Sequence, residues 1–146
     1  MPSGQPSHAG RDEASARPRM YYADDVSGRP LSKDPAVVRL GGTYWLYYSI
    51  PPYEGKLTTG WTIGVATSNN LTDWVKAGEL TNTGDAEARG FTAPGAIVLD
   101  GKIHLFYQTY GNADRDAICH AWSEDGLSFT RNPTNPIFRP AGEWNN

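Results

Sequence analysis

The sequence predicts an all-β protein made of two four-stranded antiparallel units, arranged as blades of a β-propeller. A β-hairpin pattern at residues 34–49 recurs at residues 94–108, and each copy is followed by a similar pair of strand patterns. Neither copy has apolar residues at helical spacing over a useful length. The 16 glycines and 11 prolines suit a chain dense in turns.

The first hairpin, at residues 34–49, reads DPAVVRLGGTYWLYYS. Pro35 lacks the N–H that a ladder uses, so it suits the first position of a strand. The Gly-Gly pair at 41–42 supplies the positive φ angles of a tight hairpin turn. Aromatic residues at 44–48 favour the returning strand. The segment is therefore predicted to be a hairpin with the carboxylate of Asp34 at its open end.

The second hairpin aligns with the first at a constant offset of 59, and an Asp-Gly turn stands at 100–101. The run IGVATSNNLTDW (63–74) then matches ICHAWSEDGLSF (118–129) at an offset of 55. The change of offset falls in a connection, where insertions and deletions are tolerated. An internal period of this length is typical of repeat architectures.

Each repeat contains four strand candidates, as in a propeller blade. The predicted strands are 35–40, 43–49, 61–67 and 74–80 in the first repeat. In the second they are 94–99, 102–109, 117–122 and 128–138, the last interrupted by Asn-Pro pairs. The alternative is a β-sandwich with a fortuitous repeat.

The predicted domain organisation is a disordered N-terminal tail at 1–19 and two blades within 20–146, blade one at about 34–80 and blade two at about 93–138. Propellers typically have four to eight blades. Two blades leave open edge strands, which invite pairing with other chains. We therefore expect a longer propeller truncated before its third blade. The expected partners are the missing blades or, for the isolated chain, other copies of itself.

Composition argues against several partners. The net charge is −3 and no Lys/Arg cluster stands out, so a nucleic-acid partner is not expected. No stretch approaches the ~18–20 apolar residues of a membrane span. The polar segment after Met1 has no apolar core, so no signal peptide is predicted and the expected location is cytoplasmic.

Cofactor and metal sites are not predicted either. The single cysteine, Cys119, lies in a strand candidate and is interpreted as a small core hydrophobe. His8, His104 and His120 lack partners at metal-ligand spacing.

Asp34 is the candidate catalytic acid. The start of a blade's first strand and the end of its second lie at the same face, and first strands are innermost, so Asp34 is expected to point toward the central axis. The aligned residue of the second repeat is Ala93, so the blade does not need an acid there to fold. The alternative is a carboxylate that caps the turn before Pro35. The adjacent Asp24 and Asp25 are expected to face solvent.

The segments SKDPAVVRLGGTYWLYYS, IGVATSNNLTDW and FTAPGAIVLDGKIHLFYQTYG, in this order, resemble the first two blades of glycoside hydrolase family 43. They also resemble the wider arabinanase and fructosidase superfamily of five-bladed propellers, over residues 20–146. In such enzymes the acid that opens the first blade is the general base, and Asp34 matches it. A second Asp opens the third blade and the Glu general acid opens the fourth; neither matching position exists in this chain. The run 91–95 departs from the Trp-Ala-Pro-Asp of many members, which leaves the subfamily open.

The resemblance implies hydrolysis of O-glycosyl bonds in oligo- or polysaccharides, with inversion and with Asp34 as general base. An inverting pair of carboxylates stands about 6.5–9.5 Å apart, which leaves room for the attacking water. One carboxylate cannot be acid and base in the same step, so the isolated chain is expected to be inactive. The alternatives are a carbohydrate-binding or protein-interaction propeller without activity, and a retaining fructosidase-type enzyme with Asp34 as nucleophile.

The predicted substrate-binding residues lie near Asp34 in this scheme, at hairpin ends and in connections. Some offer an aromatic face to a sugar ring and others a polar group to its hydroxyls: Tyr53, Phe91 and Tyr110 in the first class, Thr92, Gln108 and Arg115 in the second, with Lys56 and Asn112 as further polar candidates.

Overall fold

The structure, a computed structural model, describes residues 22–142. The tail predicted at 1–19 and the last residues of the chain lie outside this range. The first sheet has the order β1 (Lys33–Leu40), β2 (Thr43–Ile50), β3 (Thr62–Ser68), β4 (Trp74–Leu80). The second has the order β5 (Phe91–Leu99), β6 (Lys102–Thr109), β7 (Ile118–Ser123), β8 (Thr130–Arg131). Neighbouring strands are antiparallel throughout. Two single-turn 3₁₀ helices, Asp85–Glu87 and Ala113–Arg115, lie in connections.

The predicted fold class, all-β with two four-stranded antiparallel sheets, is confirmed. The last strand was predicted too long, at 128–138, because the strand consists of Thr130–Arg131, and Phe138 joins β7 through an isolated bridge to Ile118. Prolines at 133 and 136 cannot donate to a ladder. Instead, the side-chain amide of Asn135 accepts from the His120 N–H and donates to the His120 carbonyl, both at 2.9 Å. A side chain thus satisfies the edge of β7 where a longer strand was expected.

The two sheets pack on a shared core, and β5 is the strand that lies against β1 and β2. Tyr47 of β2 points into this core, whereas its neighbours Leu46 and Tyr48 pack on the opposite face of the first sheet. In the second sheet Leu105 and Tyr107, the repeat equivalents of Leu46 and Tyr48, point into the shared core. Equivalent faces therefore point in the same sense around the molecule, as in successive propeller blades. A two-fold sandwich would turn equivalent faces toward each other, so that alternative is wrong.

The outer face of the first sheet is covered by the segment that precedes β1. Tyr48 donates a hydrogen bond to the Asp24 carboxylate at 2.6 Å, and Lys76 forms an ion pair with the same oxygen at 2.6 Å. The ring of Tyr22 packs edge-on against Tyr48. The expectation that both Asp24 and Asp25 face solvent is wrong for Asp24, which is buried because a cation and a phenol compensate its charge.

The corresponding outer face of the second sheet is open in the described range. Phe106, the repeat equivalent of the buried Tyr47, is 41% exposed, and Ile97 and Leu99 on the same sheet are also exposed. On this face the rings of His104 and His120 stack, with 3.0 Å between Nδ1 and Nε2. Self-association of the chain through such open surfaces stays a prediction.

Candidate active site

Asp34 lies in a β-bulge at the start of β1. The ladder pairs Lys33 with Ser49 and next Ala36 with Tyr47, so Asp34 and the residue after it have no regular partners. The φ of Asp34 is 51°, in the left-handed region that aspartate adopts more readily than most residues. The bulge takes the Asp34 side chain out of the strand's regular alternation.

A hydroxyl chain across three strands orients the Asp34 carboxylate. Ser49 Oγ donates to Asp34 Oδ2 at 3.0 Å, while it accepts from the Ala93 N–H at 2.9 Å and from Thr92 Oγ1 at 2.7 Å. The directions follow from chemistry, because an ionised carboxylate only accepts and a backbone N–H only donates. Ser49 has one proton and two lone pairs, and all three are used. The hydroxyl of Ser49 is therefore held with its proton toward Asp34.

The carboxylate of Asp34 does not serve as a turn cap. Within residues 22–142 no backbone N–H is found to donate to it, and its side chain is 35% exposed. Asp125 shows the contrast, since it accepts from the N–H groups of Ser128 and Leu127 at 2.7 and 2.8 Å. Those bonds hold the pKa of Asp125 below its usual range. The capping alternative for Asp34 therefore finds no supporting hydrogen bond.

A cation next to Asp34 connects it to two aromatic rings. Lys33 Nζ is 3.6 Å from Asp34 Oδ2 and 4.9 Å from the ring centroid of Trp61. Trp61 in turn meets Tyr110 edge-on, with centroids 6.1 Å apart. Tyr110 was a predicted sugar contact, whereas Trp61 was missed. Its signal was a tryptophan directly after Gly60, at the end of a long connection, although this position falls within the predicted strand 61–67.

Two of the predicted substrate contacts are buried. Phe91 is fully buried between the sheets, edge-on to Tyr107 at 5.4 Å, so neither face of its ring is available to a sugar. The expectation for Phe91 is wrong because the first residue of β5 points into the shared core. Thr92 is also buried, and its hydroxyl donates a hydrogen bond to Ser49 Oγ. Thr92 therefore contacts the residue that orients Asp34, and not the solvent-exposed side of the site.

The connection Ile50–Gly60 is held together by Lys56. The Lys56 side chain is 4% exposed, and its ammonium contacts the carbonyls of Ile50, Pro51 and Gly60 and the Glu79 carboxylate. Burial lowers the pKa of Lys56, and Glu79 offsets part of that effect. Lys56 is therefore a structural cation and not a free donor for sugar hydroxyls.

The remaining predicted contacts are dispersed. The half-buried Tyr53 packs against the outer-face cluster of the first sheet, under Lys56 Nζ. Gln108 pairs with Thr92 in the β5–β6 ladder and is half-buried. Arg115 lines a cavity of about 620 Å³ beside the second sheet, and Asp34 is not among the residues of that cavity. Tyr110 is thus linked to Asp34 only through Trp61 and Lys33, whereas Arg115 lines a cavity that does not include Asp34.

Three further findings concern metal ligands, the single cysteine and membrane spans. No group of three or more His, Cys, Asp or Glu side chains is arranged to hold a metal ion there. Cys119 is buried, as its interpretation as a core residue required, and burial raises the pKa of its thiol to about 11. Within residues 22–142 no helix has the length and apolar character to cross a membrane.

Solved structures with the same arrangement of sheets show the fold of the chain. Fructan 1-exohydrolase IIa from Cichorium intybus superposes with a TM-score of 0.65 at 22% identity, over 77% of this chain and 23% of that one. The native arabinanase of Bacillus subtilis superposes with a TM-score of 0.54 at 16% identity, over 82% of this chain and 43% of that one. The fold is that of the β-propeller glycoside hydrolases.

The family follows from the sequence match. The model of the glycosyl hydrolases family 32 N-terminal domain matches residues 31–145, and the chain belongs to this family. Probable arabinan endo-1,5-alpha-L-arabinosidase A of Aspergillus flavus and that of Aspergillus oryzae are each 31% identical over 122 residues, 80% of this chain and 35% of theirs. The chain thus spans about a third of the length of these curated relatives. The resemblance to the arabinanase and fructosidase superfamily is confirmed.

Proposed function

We propose that the complete protein hydrolyses O-glycosyl bonds of oligo- or polysaccharides and that Asp34 is the carboxylate that either attacks the anomeric carbon or activates the water that attacks it. The observation that carries the proposal is the hydroxyl chain from Thr92 through Ser49 to Asp34 Oδ2. This hydroxyl chain orients the partly exposed carboxylate of Asp34, which lies on a bulge of the first sheet. The second sheet forms the equivalent bulge at Ala93, without an acid.

The bond from Ser49 has a defined consequence for the chemistry of Asp34. It engages Oδ2 and keeps the carboxylate in one orientation, while Oδ1 accepts no hydrogen bond within the described residues. A single unengaged oxygen is the group that a nucleophile or a base requires. Lys33 Nζ lies 3.6 Å from Oδ2, so the ion pair is on the same oxygen that Ser49 binds.

Two catalytic mechanisms are proposed for Asp34, and each is favoured by a different comparison. The family 32 match, together with the fold of a fructan exohydrolase, favours the fructosidase type, in which Asp34 attacks the anomeric carbon directly and the configuration is retained. The 31% identity to an arabinan endo-arabinosidase favours the arabinanase type, in which Asp34 deprotonates a water and the configuration is inverted. The carboxylates stand about 5–5.5 Å apart in the first mode and about 6.5–9.5 Å apart in the second.

Both modes need a second carboxyl group as general acid. We assign that group to a blade of the complete protein outside this chain. On this assignment the chain alone is inactive, because Asp34 cannot both attack and protonate in one step.

Trp61 and Tyr110 are proposed as the aromatic residues that pack against a sugar ring bound at Asp34, with the Lys33 ammonium beside them. Their edge-on contact and the cation above Trp61 fix the orientation of both rings. Tyr53 and Gln108 stay as proposed contacts of more distant sugar units.

The test is a product analysis with the complete protein on arabinan and on fructan. Release of reducing sugar establishes the activity, and carbon-13 NMR of the anomeric carbon in the first-formed product separates retention from inversion. Retention assigns Asp34 as nucleophile, and inversion assigns it as general base. Saturable binding of either polysaccharide without turnover would instead establish a carbohydrate-binding propeller and overturn the proposal.

A further inference from the structure

A cavity of about 620 Å³ opens beside the second sheet, between the connection that leads to β5 and the connection from β6 to β7. Its walls carry more positive than negative charge, although the chain as a whole carries −3. Four arginines and two carboxylates line it: Arg89, Arg115, Arg131, Arg139, Asp85 and Glu87.

One arginine and one carboxylate of the cavity neutralise each other. Arg131 binds Glu87 through Nε at 2.7 Å and Nη2 at 3.1 Å, in the two-pronged geometry typical of guanidinium and carboxylate. Glu87 is buried, and it also accepts from the hydroxyl of Tyr107 and the N–H of Thr83. The Arg131–Glu87 pair therefore forms a well-ordered side of the cavity in which the two charges neutralise each other.

The other three arginines have no such partner. Arg89, Arg115 and Arg139 form no ion pair with a carboxylate within residues 22–142, and all three are exposed. Asp85 is the one remaining acid among the residues that line the cavity. Guanidinium groups without carboxylate partners thus face a shared space with a net positive charge.

The segments that carry these arginines are tied to one another. The Tyr110 N–H donates to the Gly90 carbonyl at 2.8 Å, which joins the segment of Arg89 to the connection that contains Arg115. Arg139 Nη1 donates to the Arg115 carbonyl at 3.1 Å. The backbone positions of the three side chains are therefore set before any ligand arrives, which lowers the entropic cost of binding.

We propose that this cavity is a binding site for an oxyanion group: a phosphate, a sulfate or a carboxylate. Guanidinium groups bind such groups through paired N–H donors, and a planar donor fork suits them better than a point charge. The group is carried by a free ion or by an acidic saccharide, which share this chemistry. The site is separate from Asp34, and the proposal does not depend on the glycosidase activity.

The experiment is isothermal titration of the complete protein with inorganic phosphate, with an oligogalacturonide, and with a neutral arabino-oligosaccharide of similar length. Arg89→Gln, Arg115→Gln and Arg139→Gln should each weaken binding of the acidic ligands about tenfold or more, because each removes a charge-assisted hydrogen bond. Arg39→Gln is the matched control, since Arg39 is exposed on β1 over the ring of Tyr44 and is not a residue of the cavity. It should leave binding unchanged.

The relative affinities of the ligands identify the source of the oxyanion. Tighter binding of the oligogalacturonide than of phosphate assigns the site to an acidic saccharide, and the reverse assigns it to a free ion. Arg115→Lys keeps the charge and should retain part of the affinity that Arg115→Gln loses. Thermal melting confirms that each variant is folded. Absence of saturable binding of both acidic ligands, or equal affinities in the three Gln variants and the wild type, would overturn the proposal.

Discussion

The two sheets build the same bulge in the same place and use it differently. Asp34 in the first and Ala93 in the second have φ angles of 51° and 52°, and in both the ladder skips the bulged residue and the proline after it. The backbone requirement is therefore common to both. The carboxylate is present in the first only, and Ser49, the residue that binds it, is replaced by Gln108 at the equivalent position.

This difference separates what the blade needs from what the site needs. Alanine lacks a side chain that compensates a left-handed backbone, yet the second sheet tolerates it. An acid is thus not required for the bulge. Ser49 links the two bulges directly, because it donates to Asp34 and accepts from the N–H of Ala93. The second bulge therefore acts as a support for the carboxylate of the first.

The largest expected effect tests the carboxylate itself. Asp34→Asn in the complete protein should lower kcat about 10²–10⁴-fold or more, because it removes the nucleophilic or basic oxygen and keeps the size. Asparagine also tolerates a positive φ, so Tm should change little. Asp100→Asn is the matched control, since Asp100 is exposed, has a φ of 49° and lies in a hairpin turn. A kcat for Asp34→Asn within about threefold of wild type would leave Asp34 without a catalytic role.

A smaller effect tests the link between the bulges. Ser49→Ala leaves the Ala93 N–H and the Thr92 hydroxyl without their acceptor, so unfolding free energy should fall by about 1–3 kcal/mol. It also frees the Asp34 carboxylate to rotate, and kcat should fall about tenfold, equivalent to about 1.4 kcal/mol of barrier.

Ser123→Ala is the control for that variant. Ser123 is equally buried, and its hydroxyl bonds Asp125 and the N–H of Gly126 in a turn of the second sheet. Chemical denaturation should show a loss of stability for both variants, and only Ser49→Ala should lose activity. Equal kcat values for the two would mean that Ser49 is structural alone.

The smallest effect tests the strain in the second bulge. Ala93→Gly removes a left-handed alanine that costs about 1–2 kcal/mol, while the added freedom of glycine in the unfolded chain costs about 0.4–1 kcal/mol. The net change should lie between zero and a stabilisation of about 1.6 kcal/mol, measured by urea denaturation. Ala96→Gly, three residues along in extended backbone, should instead destabilise by about 1 kcal/mol. Equal losses in both variants would show that Ala93 carries no strain.

Local patterns were enough to predict most of the strands. Each hairpin carries its turn, its proline and its alternating residues within about sixteen positions, and these interactions are short in sequence. The last strand was overestimated because the side chain of Asn135 replaces a ladder partner of His120, and no strand pattern encodes that substitution. The contrast between Asp34 and Ala93 was likewise visible, because it depends only on alignment of the two repeats.

The sequence by itself determined the two four-stranded units, their repeat and the single carboxylate at the open end of the first hairpin, since each depends on residues close together along the chain. Only the packing of one sheet on the other decided that Phe91 is buried, that Trp61 meets Tyr110, and that Thr92 reaches Ser49 across 43 positions. The physical reason is that strand alternation specifies two faces, while which face is covered, and by what, depends on the neighbouring sheet. The arginine-lined cavity arises in the same way, from segments that only tertiary hydrogen bonds bring together.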